Sequence, residues 1–137
     1  MNIELTDKEF RRLLDLVYIG NWILNAARGD DRIKDYDDLE SKIFAQCARS
    51  RRFHSLFEIV DDEVYPSRAF EEGGIHEAIM DYEDIVFFDI LAEELAIRDL
   101  GGSPMDEIGI AQLETRIIDY MNEFEENGLD NVTFNNK

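Results

Sequence analysis

The sequence predicts an all-α fold, a compact bundle of about four main helices with a short β-pair between the termini. Three observations carry that reading. Apolar residues recur at i, i+3, i+4 and i+7 in several long stretches. Capping and stop residues bracket those stretches. The 137 residues are 45% hydrophobic, with nine Phe, five Tyr and one Trp, which is enough bulk for a folded core despite 34% charged residues. One domain spanning 1–137 is the expectation for a chain of this length.

Ile3 and Leu5 alternate with Asn2 and Glu4, and Val132 and Phe134 alternate with Asn131 and Thr133. Each segment reads as a short strand, and pairing them would tie the termini together.

The first helix starts at a Thr-x-x-Glu capping box, Thr6 and Glu9, with Leu5 and Phe10 placed as a hydrophobic staple. Its apolar stripe is Phe10, Leu13, Leu14, Val17, Tyr18, Trp22, Ile23 and Ala26, and it is expected to run to about Arg28, with Gly29 terminating it. A second helix over about 37–50, capped by Asp35 or Asp37, turns Leu39, Ile43, Phe44 and Cys47 inward. In 51–72, Phe53, Leu56, Phe57, Ile59 and Val60 are apolar enough to be buried. Asp61-Asp62-Glu63 interrupts them and Pro66 ends any helix, while Ser67 caps a turn reaching Gly73-Gly74.

Residues 75–100 form the broadest apolar stripe, led by Ile75, Ile79, Tyr82, Val86, Phe87, Ile90, Leu91 and Leu95. A stripe that wide predicts contacts on more than one side, with the second and last helices packed around this segment and the first closing the bundle. Gly101-Gly102 stops it. Ser103 and Pro104 are placed as cap and first residue of the last helix, which ends at Asn127-Gly128.

The net charge of −18 is unevenly spread. Met1–Phe57 carries 10 acidic and 10 basic residues, Glu58–Asp99 carries 14 and 2, and Leu100–Lys137 carries 8 and 2. Such a chain repels nucleic acid and anionic membranes, so neither is an expected partner. The one basic cluster, Arg49, Arg51 and Arg52, is too small for a nucleic-acid footprint and is expected to pair with the chain's own carboxylates. Cys47 is the single cysteine and reads as a buried thiol. It fits a reducing compartment. Met1–Thr6 lacks a basic-then-apolar leader pattern, and no apolar run approaches the roughly 20 residues of a membrane span. A cytoplasmic location is expected.

The densest acidic set lies between Glu77 and Glu94. Glu77 and Asp81 share a helix face, as do Asp89 and Glu93. Glu77, Asp81, Asp84, Asp89 and Glu93 are therefore the candidate contacts for a protein partner with a basic surface, in the extreme case through mimicry of a phosphate backbone. A solvated helix face is the plainer account of the same residues. The calcium-loop spacing is absent from the sequence. A second reading pairs His76 with Glu72, four residues apart, in a carboxylate–histidine metal site of a sensor or a metal-dependent enzyme. The sequence has neither a nucleophile elbow nor a phosphate loop, so no catalytic residue is assigned, no cofactor is expected and a non-enzymatic role is preferred. Trp22, between Asn21 and Asn25, is the aromatic with the most polar surroundings, an anchor for a partner or a core-edge residue. The wide stripe of 75–100 also leaves room for a homodimer.

Overall fold

A computed structural model describes residues 2–134. The described chain is mostly helical, with helices α1 (Asp7–Asn25), α2 (Lys34–Phe44), the single turn α3 (Arg68–Phe70), α4 (His76–Asp99) and α5 (Glu107–Asn127). One two-stranded antiparallel sheet, β1 (Phe57–Val60) and β2 (Glu63–Pro66), lies between α2 and α3 in the sequence. The chain divides into two compact units, Met1–Ile79 and Met80–Lys137. No helix of the described residues is long and apolar enough to cross a membrane.

In the first unit α1 begins at the expected capping box. Thr6 Oγ1 accepts the Glu9 N–H, and Glu9 Oε2 accepts the Thr6 N–H at 2.8 Å. The helix ends at Asn25, three residues before the expected boundary, and Gly29 is not left-handed. Side chains do the terminating instead. Arg28 Nε donates to the Leu24 carbonyl at 2.8 Å, and Arg32 Nη1 donates to the Asn25 carbonyl at 3.3 Å. Both satisfy acceptors that the end of a helix leaves open.

Helix α2 starts earlier and stops earlier than the 37–50 expected, because neither Asp35 nor Asp37 caps it. Its N-cap is Ile33, whose own N–H donates to Asn25 Oδ1 at 2.8 Å. The chain then tightens into 3₁₀ turns over Ala45–Arg49 and Arg51–Phe53.

The strand pair falls at 57–66 rather than between the termini, since 2–5 and 131–134 contain no strand. The pairing runs Phe57 opposite Pro66 to Val60 opposite Glu63, closed by Asp61 and Asp62 at φ 51° and 65°. Two consecutive left-handed residues are what a tight hairpin turn of the right twist demands, and Asp tolerates that region better than most side chains. The hairpin rests on α2, with the Val64 N–H donating to Ser41 Oγ at 3.3 Å. Helix α2 thus finds its main neighbours in α1 and β2, where the sequence had suggested the 75–100 segment.

Ser67 caps α3 as expected, its Oγ accepting the Phe70 N–H at 3.2 Å. A wide turn through Glu71–Ile75 follows, with Gly74 at φ 103°. The core of this unit is Leu14, Tyr18, Phe44, Cys47, Phe53, Phe70, Ile75 and Ile79. Phe44 and Phe70 meet edge to face at 4.9 Å.

The second unit contains most of α4 and all of α5. Phe88, Ala92, Leu95 and Asp99 follow one another at helical spacing on α4, and Phe88 reaches Phe124 of α5 at 5.4 Å between ring centres. Gly101 and Gly102, at φ 77° and 140°, stop α4 as the sequence indicated. Helix α5 begins three residues later than Ser103-Pro104 suggested, because Asp106 is the cap, its Oδ1 accepting the Gly109 N–H at 2.7 Å. Pro104 instead presses on the helix. A Cβ built on Gly109 would lie 2.5 Å from Pro104 Cβ. Asn127-Gly128 closes α5 as expected, with Gly128 at φ 57°.

Two stability outcomes follow. Leu14→Ala, at a fully buried position, is expected to cost about 2–5 kcal/mol by chemical denaturation. Gly109→Ala, normally neutral or stabilising inside a helix, is expected to cost about 1–3 kcal/mol through the clash with Pro104.

Candidate functional site

The five carboxylates singled out by sequence are all exposed on α4. Glu77 belongs to the first unit and the other four to the second. They do not form one stripe. Asp81 and Asp84 fall on the helix face that continues to Phe88 and Ala92, whereas Asp89 and Glu93 fall about a third of a turn away, at 100° per residue. Among the described residues none of the five makes an ion pair.

For the four in the second unit, the charge balance explains this. Met80–Lys137 holds 15 acidic and 3 basic residues, a net charge of −12, against 17 and 11 in Met1–Ile79. Its two described cations are both spent on one carboxylate: Arg98 Nη2 lies 2.8 Å from Asp99 Oδ1 and Arg116 Nη2 lies 2.9 Å from Asp99 Oδ2. The Tyr120 hydroxyl donates to the same carboxylate at 2.6 Å. Tyr120 first, then the two arginines, hold Asp99 far below the usual carboxylate range. Interleaved with the unpaired acids on α4 are exposed Met80, Tyr82, Ile85, Phe87 and Ile90.

The second reading placed a metal on His76 and Glu72. Glu72 Oε1 accepts from Arg68 Nε at 2.6 Å, and His76 Nε2 lies 2.7 Å from Tyr18 Oη. No group of three or more His, Cys, Asp or Glu side chains among the described residues is arranged to hold a metal ion. Cys47 is fully buried, and burial pushes its thiol up, as suits a packing residue. Of the basic cluster, Arg52 pairs with Asp7 at 3.1 Å.

The first unit also holds a polar cleft that no local pattern in the sequence marks in full. It has a volume of about 320 Å³ and is lined by Tyr18, Asn21, Trp22, Ala26, Arg32 and Glu40. Its floor is a buried amide network. Asn25 Nδ2 donates to Asn21 Oδ1 at 2.7 Å and to the Ile33 carbonyl at 3.2 Å, and Asn21 Nδ2 donates to Asp37 Oδ1 at 3.0 Å. Asp37 also accepts two bonds from Arg32, to Oδ2 at 3.0 Å and to Oδ1 at 2.5 Å. That fork holds the Asp37 carboxyl below its usual range.

One wall carries Tyr18, whose hydroxyl lies between His76 and Glu71 Oε1, 3.3 Å away. Burial first, then the charges of Glu71 and Glu40, push its ionisation up, so the hydroxyl keeps its proton. The arrangement that leaves no group unpaired has His76 Nε2–H donating to Tyr18 Oη and Tyr18 O–H donating to Glu71. Trp22 meets the His76 ring edge to face at 5.0 Å. Opposite stands Glu40, which burial pushes up to about 7. The sequence signal for this cleft was Trp22 flanked by two asparagines; what it lacked was Glu40, brought in from α2.

No family model matches the chain, and no curated protein or solved structure matches it significantly.

Glu40 gives a pH dependence of defined sign. Its folded pKa of about 7 lies above the ordinary 4.5, so between these values the folded chain holds a proton that the unfolded chain has lost. The stability it contributes is complete below about pH 4.5 and is lost as the pH rises through 7. Glu40→Gln is expected to raise the melting temperature at pH 8 by about 3–5 °C, after allowing for the screening of a partly exposed group. The gap to the unaltered protein should close below pH 5. Calorimetry across this pH range checks it.

Proposed function

We propose that this protein is a non-enzymatic interaction module of the cytoplasm that uses its second unit to engage a protein with a basic surface. The observation that carries this reading is the spending of both described cations of that unit on Asp99. Asp81, Asp84, Asp89 and Glu93 are left exposed and without a cationic partner among the described residues. A partner supplying Lys or Arg would meet these charges without first breaking an internal ion pair. The exposed Tyr82, Ile85, Phe87 and Ile90 supply apolar contact area beside the charges, and apolar side chains grouped with polar ones are the composition of protein-docking surfaces. Two separate acidic stripes on one helix suit a partner that wraps around α4 or carries two basic ridges. In its extreme form the surface imitates nucleic acid and inhibits a protein that binds it.

The test is a pull-down from extract of the source organism at low and at high salt, read by mass spectrometry, followed by titration of the captured partner. Binding is expected to weaken steeply with salt, since exposed charges are screened beyond about 3 Å at 1 M. Reversing Asp81, Asp84 and Asp89 to Lys together should abolish it. A complex that survives both the reversal and the high salt overturns the reading.

A further inference from the structure

The cleft of the first unit has an electrostatic character distinct from its floor. Arg32 lines it, but its guanidinium is engaged by both oxygens of Asp37, so this pair adds almost no net charge. Glu40 makes no ion pair among the described residues, and the second carboxylate nearby, Glu71, stands behind the Tyr18 hydroxyl. The charged and titratable groups around Glu40 and the aromatic walls are Asp37 on its own helix, Arg32 from the loop before it, Tyr18 from α1, Glu71 from the turn before α4 and His76 of α4, which touches both Tyr18 and Trp22. With Arg32 and Asp37 cancelling, the cleft presents an excess of negative charge. Trp22 and Tyr18 give it aromatic walls, and its volume is at the lower end of the range of about 300–1,000 Å³ for small-ligand sites.

A carboxylate set beside aromatic rings in a small recess is matched by one class of ligand. A metal ion would want several oxygen donors converging on a point, which the described residues do not offer. An anion would meet Glu40. An alkylated ammonium group spreads its charge over methyl groups, gains from an aromatic face and needs no tight ligand shell. We propose that this cleft binds a small organic cation, a quaternary or methylated ammonium group held between the Trp22 ring and the Glu40 carboxylate. The shared chemistry is that ammonium head, whether carried by a free small molecule or by a methylated lysine side chain.

Trp22 is the single tryptophan, so the chain reports on its own cleft. The experiment titrates the full chain at constant ionic strength with choline, with a trimethyl-lysine peptide and with dimethylbutanol, the neutral carbon isostere of choline. Trp22 fluorescence and its indole N–H resonance are the readouts. The expected result is a saturable shift with one or both ammonium compounds at pH 8, and none with the isostere. The preferred ammonium compound identifies whether the head is taken free or on a chain. Lowering the pH from 8 to 6 should weaken binding by up to about tenfold, the factor by which the ionised fraction of Glu40 falls. Glu40→Gln should weaken binding tenfold or more at pH 8 and remove most of the change between pH 8 and 6, while Glu126→Gln on α5 should leave binding unchanged. Should Glu40→Gln fail to fold, the isostere and the pH series still decide. Equal binding of the isostere, an affinity indifferent to pH and to Glu40→Gln, or no saturable response with either ammonium compound at about ten times millimolar concentration overturns the proposal.

Discussion

The first unit depends on one buried amide. Asn25 is 1% exposed, yet its side chain receives the Ile33 N–H and donates to the Ile33 carbonyl and to Asn21. A buried polar group is tolerable only when its hydrogen bonds are made, and one left unpaired costs about 1–3 kcal/mol. That requirement fixes the corner between α1 and α2. Ile33 must come back to Asn25, so the loop before it folds over the end of α1, and α2 starts from Ile33 instead of from an aspartate cap. Asp37 is then free of capping duty and joins Asn21 and Arg32. The next helical turn sets Glu40 facing α1, and the cleft is a by-product of the same corner.

The two units hold different excesses of acid and distribute their ion pairs differently. In the first, some carboxylates pair with nearby arginines, Asp15 with Arg11 and Arg12, Asp31 with Arg28, Asp37 with Arg32 and Glu72 with Arg68, and Asp7 pairs with the distant Arg52. These exposed pairs contribute little stability each, and they neutralise five of the unit's seventeen acidic residues. In the second unit Asp99 takes both described arginines together with the Tyr120 hydroxyl, joining the end of α4 to α5. No other described carboxylate there has a cationic partner. Self-repulsion among so many like charges works against the compact state.

Small residues decide the close approaches. Ala92 and Ala96 are fully buried on α4, and Gly109 admits Pro104 onto the first turn of α5. At these positions a side chain's size matters more than its polarity, because a packed surface has no spare volume for another methyl group.

By itself the sequence determined the helical class, the capping box at Thr6, the stop at Gly101-Gly102, the end of α5 at Gly128 and the burial of Cys47. Each is set by interactions within a few residues or by the periodicity of one segment. It also located the acidic excess, which is a matter of composition. Tertiary structure decided what depends on partners far apart in the chain. The hairpin at 57–66 has strand-forming residues, Phe57, Ile59, Val60, Val64 and Tyr65, but its turn is Asp-Asp without glycine and its seat, Ser41, lies 23 residues away from Val64. The boundaries of α2 shifted because Asn25, eight residues upstream, outcompeted the local caps. Which carboxylates stand unpaired followed from where two arginines found Asp99, and the cleft came from bringing Glu40 opposite Tyr18 and Trp22. Local sequence encodes hydrogen bonds between near neighbours, whereas the proximity of Trp22, Glu40 and His76 exists only once the loops between them have closed.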